Sequence, residues 1–169
     1  MDLFVDADFL GLFKIEPFTD PNSARSRTGF IFKLSDCPLT WRSQLQSSIT
    51  CSTLEAKYNA LSSALRVLIP LKRILVEAAT QLNIPSSICS TISARALEDN
   101  QGAYYLATNQ RITNRTRWYL NKWHWFWQHV NNGTVSIVEI DTSKQDADFL
   151  TKALTFDLFE ANCRRVQKW

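Results

Sequence analysis

The sequence predicts an α/β domain in which a mixed β-sheet is covered by helices. Three observations lead there. The first forty residues carry three short strand patterns separated by turn signals, as in an antiparallel meander. Helical and strand periodicities then alternate to the C-terminus, so the order reads βββ, α, β, α, α, β, α. The chain has 169 residues with 45% hydrophobic and 21% charged residues, which suits one globular domain with a sizeable core.

Leu3 to Ala7 reads as a strand in which acids alternate with apolar residues. Pro17, Asp20, Pro21, Asn22 and Ser23 mark a loop over residues 16–28. Thr28 to Leu34 alternates as a strand, Asp36-Cys37-Pro38 turns the chain, and Leu39 to Arg42 returns as a third strand. Ser52 or Thr53 can cap a helix with Glu55 in its first turn. Leu54, Tyr58, Leu61, Leu65 and Leu68 form its apolar face. Pro70 is expected to interrupt that helix, with Leu71 to Leu82 resuming as a second segment ended by Asn83 and Pro85. Ile92 to Leu97 reads as a buried strand, and Asn100 to Thr108 and Arg115 to Val130 as helices. Asn131-Asn132-Gly133 is a turn before a strand over Thr134 to Ile140. Two helical stretches, 144–153 and 156–167, close the chain.

Composition excludes several classes. Four Gly and five Pro rule out collagen-like and low-complexity chains. Cys37, Cys51, Cys89 and Cys163 form no CxxC pair, and only His124 and His129 could join them, so a zinc site is not expected. Reduced, mostly buried thiols fit an intracellular protein of the cytoplasm or nucleus. Acids at 2, 6 and 8 do not suit a secretory signal, and the apolar run from Ala64 to Leu71 is too short to span a membrane. The net charge of +3 is too small to identify a nucleic-acid partner by itself.

Acids at strand ends are the candidate chemistry: Asp6 near the end of the first strand, Asp99 after the strand at 92–97, and Asp148 beyond the last strand. Carboxylates drawn from separate elements can hold Mg²⁺, though on composition alone such residues are more often surface or capping groups.

Six ordered blocks carry a resemblance. Asp6-Ala7-Asp8-Phe9-Leu10-Gly11, Ser26-Arg27-Thr28-Gly29-Phe30, Cys37-Pro38 with Trp41, Glu98-Asp99-Asn100-Gln101, Arg115-Thr116-Arg117 and Asp148-Phe149-Leu150-Thr151-Lys152-Ala153-Leu154 span nearly the whole chain. Together they resemble the ribonuclease H domain of copia-type (Ty/copia) retrotransposon Pol polyproteins. The resemblance implies a ribonuclease H-like fold with a five-stranded mixed sheet, three antiparallel strands first, flanked by helices. It places that domain over 1–154, with 155–169 as a C-terminal helix packing on it or extending it. It implies endonucleolytic cleavage of the RNA strand of RNA–DNA hybrids with two Mg²⁺ (or Mn²⁺) ions. Asp6, Asp99 and Asp148 would be catalytic metal ligands, with Arg115 and Arg117 contacting the nucleic-acid backbone; Asn100 and Gln101 could face the hybrid or equally form a polar cap after the strand. The implied partners are the hybrid and the reverse transcriptase domain of the same polyprotein, with no membrane.

The chain departs from the family at the second acid. The family's helix begins Glu-Ala-Glu-Tyr-x-Ala-Leu and its second Glu is a metal ligand; here the segment is Glu55-Ala56-Lys57-Tyr58-Asn59-Ala60-Leu61. At about 100° per residue, Lys57 points about 60° from the apolar stripe and Glu55 about 100° to its other side. Glu55 therefore cannot fill the position without turning the core stripe outward. Lys57 has two options, pairing with Asp6 or Asp99 or snorkelling to water. Either weakens metal-dependent cleavage, and a non-catalytic remnant that binds hybrids or proteins is the alternative reading. The family's Arg-Thr-Lys-His-Ile-Asp is also altered, to Arg115-Thr116-Arg117-Trp118-Tyr119-Leu120, which suggests relaxed constraint. Met1 stands just before the first strand, which fits a truncated copy, a start at an internal Met or a stand-alone domain.

The stretch between Asp99 and Glu139 has no carboxylate and holds Arg111, Arg115, Arg117 and Lys122 with Trp118, Tyr119, Trp123, Trp125, Phe126 and Trp127. Nucleic acid could meet these groups, or an exposed tryptophan surface could bind a protein. Core packing explains most aromatics at this density.

Overall fold

The computed structural model describes residues 1–12, 17, 19–89, 92–109, 114, 117 and 124–168. Strands β1 (Asp2–Asp8), β2 (Arg27–Leu34), β3 (Cys37–Leu45), β4 (Arg95–Glu98) and β5 (Ser136–Glu139) form one sheet in the order β3-β2-β1-β4-β5. β1 runs antiparallel to β2, and β2 to β3, while β1–β4 and β4–β5 are parallel. The mixed sheet with an antiparallel meander first is the architecture expected from the sequence.

Helix α1 (Thr53–Gln81) covers one face of the sheet. Leu3, Val5 and Ala7 of β1 and Phe30 and Phe32 of β2 bury against its Ala56, Tyr58, Leu61, Leu65 and Leu68. Each such Leu or Phe taken fully out of water stabilises the fold by about 2 kcal/mol. The opposite face carries a smaller cluster of Ile31, Phe149 and Val166, the last from α5 (Phe156–Gln167). The other α-helices among the described residues are α2 (Ser86–Cys89), α3 (Gln101–Asn109) and α4 (His124–Asn131).

Three expectations change. α1 is continuous through Pro70 rather than broken there. Pro70 lies on the exposed side of the helix with Ser63, Arg66 and Arg73. The Arg66 carbonyl that loses its helical donor thus faces water, while Leu68 and Ile69 stay in the core. Residues 144–153 form two 3₁₀ turns, Thr142–Lys144 and Asp148–Leu150, instead of a helix. Their polar side chains are drawn to the sheet. Buried Gln145 donates through Nε2 to the carbonyls of Val5 (2.9 Å) and Leu97 (3.3 Å). Asp146 accepts from buried Lys33 (2.5 Å) and pairs with Arg165 of α5 (2.8 Å). Thirdly, Cys37 and Cys51 are exposed and Cys89 and Cys163 partly buried; all four are free thiols. The helix expected over Arg115 to Val130 is described from His124 onward as α4.

The 147–151 segment approaches β2 closely at Gly29. A Cβ there would lie 2.7 Å from Thr151 Cγ2 and 3.0 Å from Leu150 Cβ, so the absent side chain admits this turn. Among the described residues no helix is long and apolar enough to cross a membrane.

Gln145 extends the β1–β4 pairing where the backbone ladder stops, after Phe4 opposite Leu97. Gln145→Leu strands two buried carbonyls and is expected to destabilise the fold by about 2–4 kcal/mol. Urea denaturation checks this, and an unchanged midpoint would show that the amide holds nothing in place.

Candidate functional site

Asp6 and Asp99 meet because β1 and β4 are parallel neighbours. Phe4 is level with Leu97, so two residues further along each chain the two aspartates are level as well. Both are buried, with side chains 4% and 6% exposed. The rotation of α1 decides what faces them. Ser52 caps this helix, its Oγ accepting from the Glu55 amide at 3.1 Å, while Glu55 Oε2 accepts from the Cys51 amide at 2.7 Å. Glu55 is thereby committed to the cap, and Lys57 projects toward the strand ends.

The Lys57 ammonium donates to Asp6 Oδ1 and to Asp99 Oδ1, each at 2.6 Å. Of the two geometries open to it, Lys57 takes the inward one. Burial disfavours its charge, but attraction to Asp6, the hydrogen bonds to Asp6 and Asp99 and the nearby Glu98 outweigh this and hold its pKa above the ordinary value. The second Asp6 oxygen accepts from the Thr151 hydroxyl, which also lies 2.9 Å from the Asp148 carbonyl.

Asp148 is more open. Its carboxylate pairs with Lys152 at 2.6 Å, one helical turn on, and is 32% exposed. Asp8 sits beside Asp6 and Asp148; burial first, and then the charge of Asp6, raises its pKa. The sequence reading overlooked Glu98, which is fully buried just behind Asp99. Its Oε1 accepts from the Asn100 amide at 3.1 Å, and Oε2 has no hydrogen-bond partner among the described residues. Burial pushes its pKa up to about 8, against the lowering effects of Lys57 and the Asn100 amide. The signal for Glu98 was its place on β4 one residue before Asp99, which turns it into the core.

These residues do not fit a Mg²⁺ centre. Among the described residues no group of three or more His, Cys, Asp or Glu side chains is arranged to hold a metal ion. The inner oxygens of Asp6 and Asp99 already face an ammonium, and Asp148 faces Lys152. Asp6 and Asp99, expected with Asp148 to ligate Mg²⁺ or Mn²⁺, here each accept from a lysine of the same chain. Asn100 Oδ1 accepts from the Ala103 amide at 2.9 Å and so caps α3, and Gln101 is exposed in its first turn. Arg117 is exposed, while Arg115, with Trp118, Tyr119 and Trp123, lies outside the described residues. Phe126 and Trp127 are buried, Trp127 Nε1 donating to the Tyr58 hydroxyl at 2.7 Å, and half-buried Trp125 donates to Ser62 at 3.0 Å. These aromatics pack the core and do not build an exposed tryptophan surface.

Replacing the ammonium tests the balance of charge. Lys57→Met leaves two buried carboxylates facing each other and is expected to cost about 3 kcal/mol in chemical denaturation. Millimolar Mg²⁺ should then raise the melting temperature of the variant but not of the wild type; a variant as stable as wild type would show that the ion pair is not structural. Glu98 gives a pH signature. Between its ordinary value of 4.5 and about 8, the folded chain binds more protons than the unfolded chain, so this group makes stability fall as pH rises through that window. Glu98→Gln should flatten the slope and gain a few kcal/mol over wild type at pH 8; parallel stability curves for the two proteins would contradict the assignment.

No protein-family profile matches the chain. It is similar to the Pol polyprotein of transposon TNT 1-94 from Nicotiana tabacum, with 29% identity over 157 residues, 93% of this chain and 10% of the polyprotein. It is also similar to those of transposons RE2 and RE1 from Arabidopsis thaliana, with 28% identity over 96% of the chain and 27% over 93%, again 10% of each polyprotein. The chain thus spans about a tenth of the length of these curated relatives. Among solved structures, ribonuclease H1 of Halobacterium salinarum NRC-1 superposes with a TM-score of 0.52 at 16% identity, covering 88% of this chain and 92% of that one. LC11-RNase H1, isolated from compost and solved in complex with an RNA/DNA hybrid, gives 0.55 at 13% identity, covering 88% and 91%. At such identities the likeness is one of fold. The chain is therefore similar to a region of copia-type retrotransposon Pol polyproteins and has a ribonuclease H-like fold.

Proposed function

We propose that this domain binds RNA–DNA hybrids on its ribonuclease H-like frame and has lost metal-dependent cleavage of the RNA strand. The observation that carries the reading is the Lys57 ammonium held 2.6 Å from both Asp6 and Asp99. Two-metal hydrolysis needs carboxylate oxygens free to bind cations that activate water and stabilise the leaving oxygen. Here a ligand position carries a positive charge, and that charge sits on the carboxylates that remain. Asp6, Asp99 and Asp148 are on this reading what is left of a catalytic set. Hybrid binding draws support from the likeness to LC11-RNase H1, which was solved with such a hybrid, and from the similarity to Pol polyproteins. Exposed Gln101 and Arg117 are candidates to touch the nucleic-acid backbone. In a longer polyprotein the natural neighbour would be a reverse transcriptase domain.

The test is a labelled RNA–DNA hybrid incubated with Mg²⁺ or Mn²⁺ and either the wild type or Lys57→Glu. Wild type should bind the hybrid with an affinity that falls steeply with salt and yield no metal-dependent product. Lys57→Glu should restore cleavage if the rest of the site is competent. Mg²⁺-dependent cutting by the wild type would overturn the reading. Cutting by neither protein, with both folded and binding, would place further losses beyond residue 57 and leave the binding function standing.

A further inference from the structure

A groove of about 660 Å³ opens beside the carboxylate site, between β3, the Arg25–Arg27 segment and the turn at 149–153. Its walls carry three cations, Arg25, Arg27 and Lys152, against one carboxylate, Asp8. Trp41 stands on the same wall with 59% of its surface exposed. The cationic wall is held in place by its own contacts. Arg27 donates to Ser43 Oγ at 3.3 Å, and that hydroxyl donates to the Leu150 carbonyl at 2.6 Å, so β2, β3 and the turn are tied together. Arg42 is level with Phe30 in the β2–β3 pairing and turns its guanidinium over the Phe30 ring, 5.6 Å from the centroid, on the α1 side of the sheet and away from Trp41. Lys152 faces Asp148. The groove is continuous with the site: Thr151, which lines it, donates to Asp6.

We propose that this groove binds one phosphodiester strand, with a base stacked on Trp41 and its phosphates against Arg25 and Arg27. The proposal deepens the hybrid-binding reading and rests on it. An exposed tryptophan next to several cations supplies both parts of strand recognition, a π-face tolerant of sequence and charges that follow a backbone. A strand lying over Asp6 needs only to continue past Thr151 to enter the groove. Neither arginine contact requires a metal ion, so binding here survives the loss of cleavage.

The experiment uses the whole chain and fluorescence anisotropy with labelled RNA–DNA hybrid and with labelled oligo-dT of about 12 nucleotides. The variants are Trp41→Ala, the double Arg25→Ala/Arg27→Ala, and Arg73→Ala on the exposed side of α1 as a control for the loss of a surface arginine. Circular dichroism verifies that each is folded. Trp41→Ala should weaken binding about tenfold. The double variant should lower the slope of log affinity against log salt by about 1.4–1.8 units, and Arg73→Ala should change neither. Weakening for both probes supports a strand site open to single strands; weakening for the hybrid alone supports one that takes a strand of the duplex. If wild type binds and both groove variants bind equally well, the groove assignment fails and hybrid binding stands. If wild type binds neither probe at low salt, the hybrid-binding reading fails and the groove with it. If Trp41→Ala instead turns a self-associating protein into a monomer without affecting nucleic-acid binding, the face is a protein interface and the proposal is overturned.

Discussion

Two aspartates sit within a few per cent of full burial at the end of a parallel strand pair, and one ammonium holds both. Taking carboxylates out of water is tolerable only when a positive group or several donors replace the lost hydration. Lys57 supplies that replacement for the inner oxygens, and Thr151 serves the outer oxygen of Asp6. The arrangement depends on parts far apart in the chain. The β1–β4 register levels the aspartates, the Ser52 cap sets the rotation of α1, and bare Gly29 admits the turn that carries Thr151. Together they bring two buried carboxylates and one ammonium to a single point.

Glu98 belongs to the same balance. Its pKa of about 8 leaves it mostly protonated at neutral pH. The inner cluster then holds Asp6 and Asp99 against Lys57, a net charge of −1 rather than −2. With a glutamate at 57 the same atoms would sum to −3. One substitution thus moves the site by two units of charge, and it does so at hydrogen-bond distance where screening by salt is weak. A divalent cation entering this cluster would meet an ammonium first.

Much of this was legible in the sequence, for reasons that can be named. The meander showed through period-two patterns in residues 3–7 and 28–34, and α1 through an unbroken apolar stripe from Leu54 to Leu68. Helical geometry alone placed Lys57 at the rim and Glu55 away from it, and the structure keeps Glu55 in the cap. Other features were hidden because they depend on contacts distant in sequence. Pro70 reads as a breaker, yet its missing hydrogen bond faces solvent. Residues 144–153 read as helical because local propensity cannot register that Gln145 reaches across to Val5 and Leu97. Glu98 is adjacent to Asp99, but its full burial follows only from β4 lying between β1 and β5. Trp41 gave no hint in its pattern that it faces outward, because an edge strand can present either face.

Lysine at residue 57 fits the space between the two aspartates in a specific way. A small neutral residue there would leave Asp6 and Asp99 facing each other without a counter-charge unless a cation were bound. A large apolar residue would press a hydrophobic group against two carboxylates. An arginine would bring a planar fork with five donors where the two inner oxygens need only one point charge. The lysine stem instead follows the wall of α1, and its compact ammonium reaches both oxygens at the same 2.6 Å. Folding thereby needs no metal ion to balance these two carboxylates. On the proposed reading, the chain keeps the shape of a ribonuclease H-like domain and the surface beside the site, and the ammonium takes the place where cleavage would need a cation.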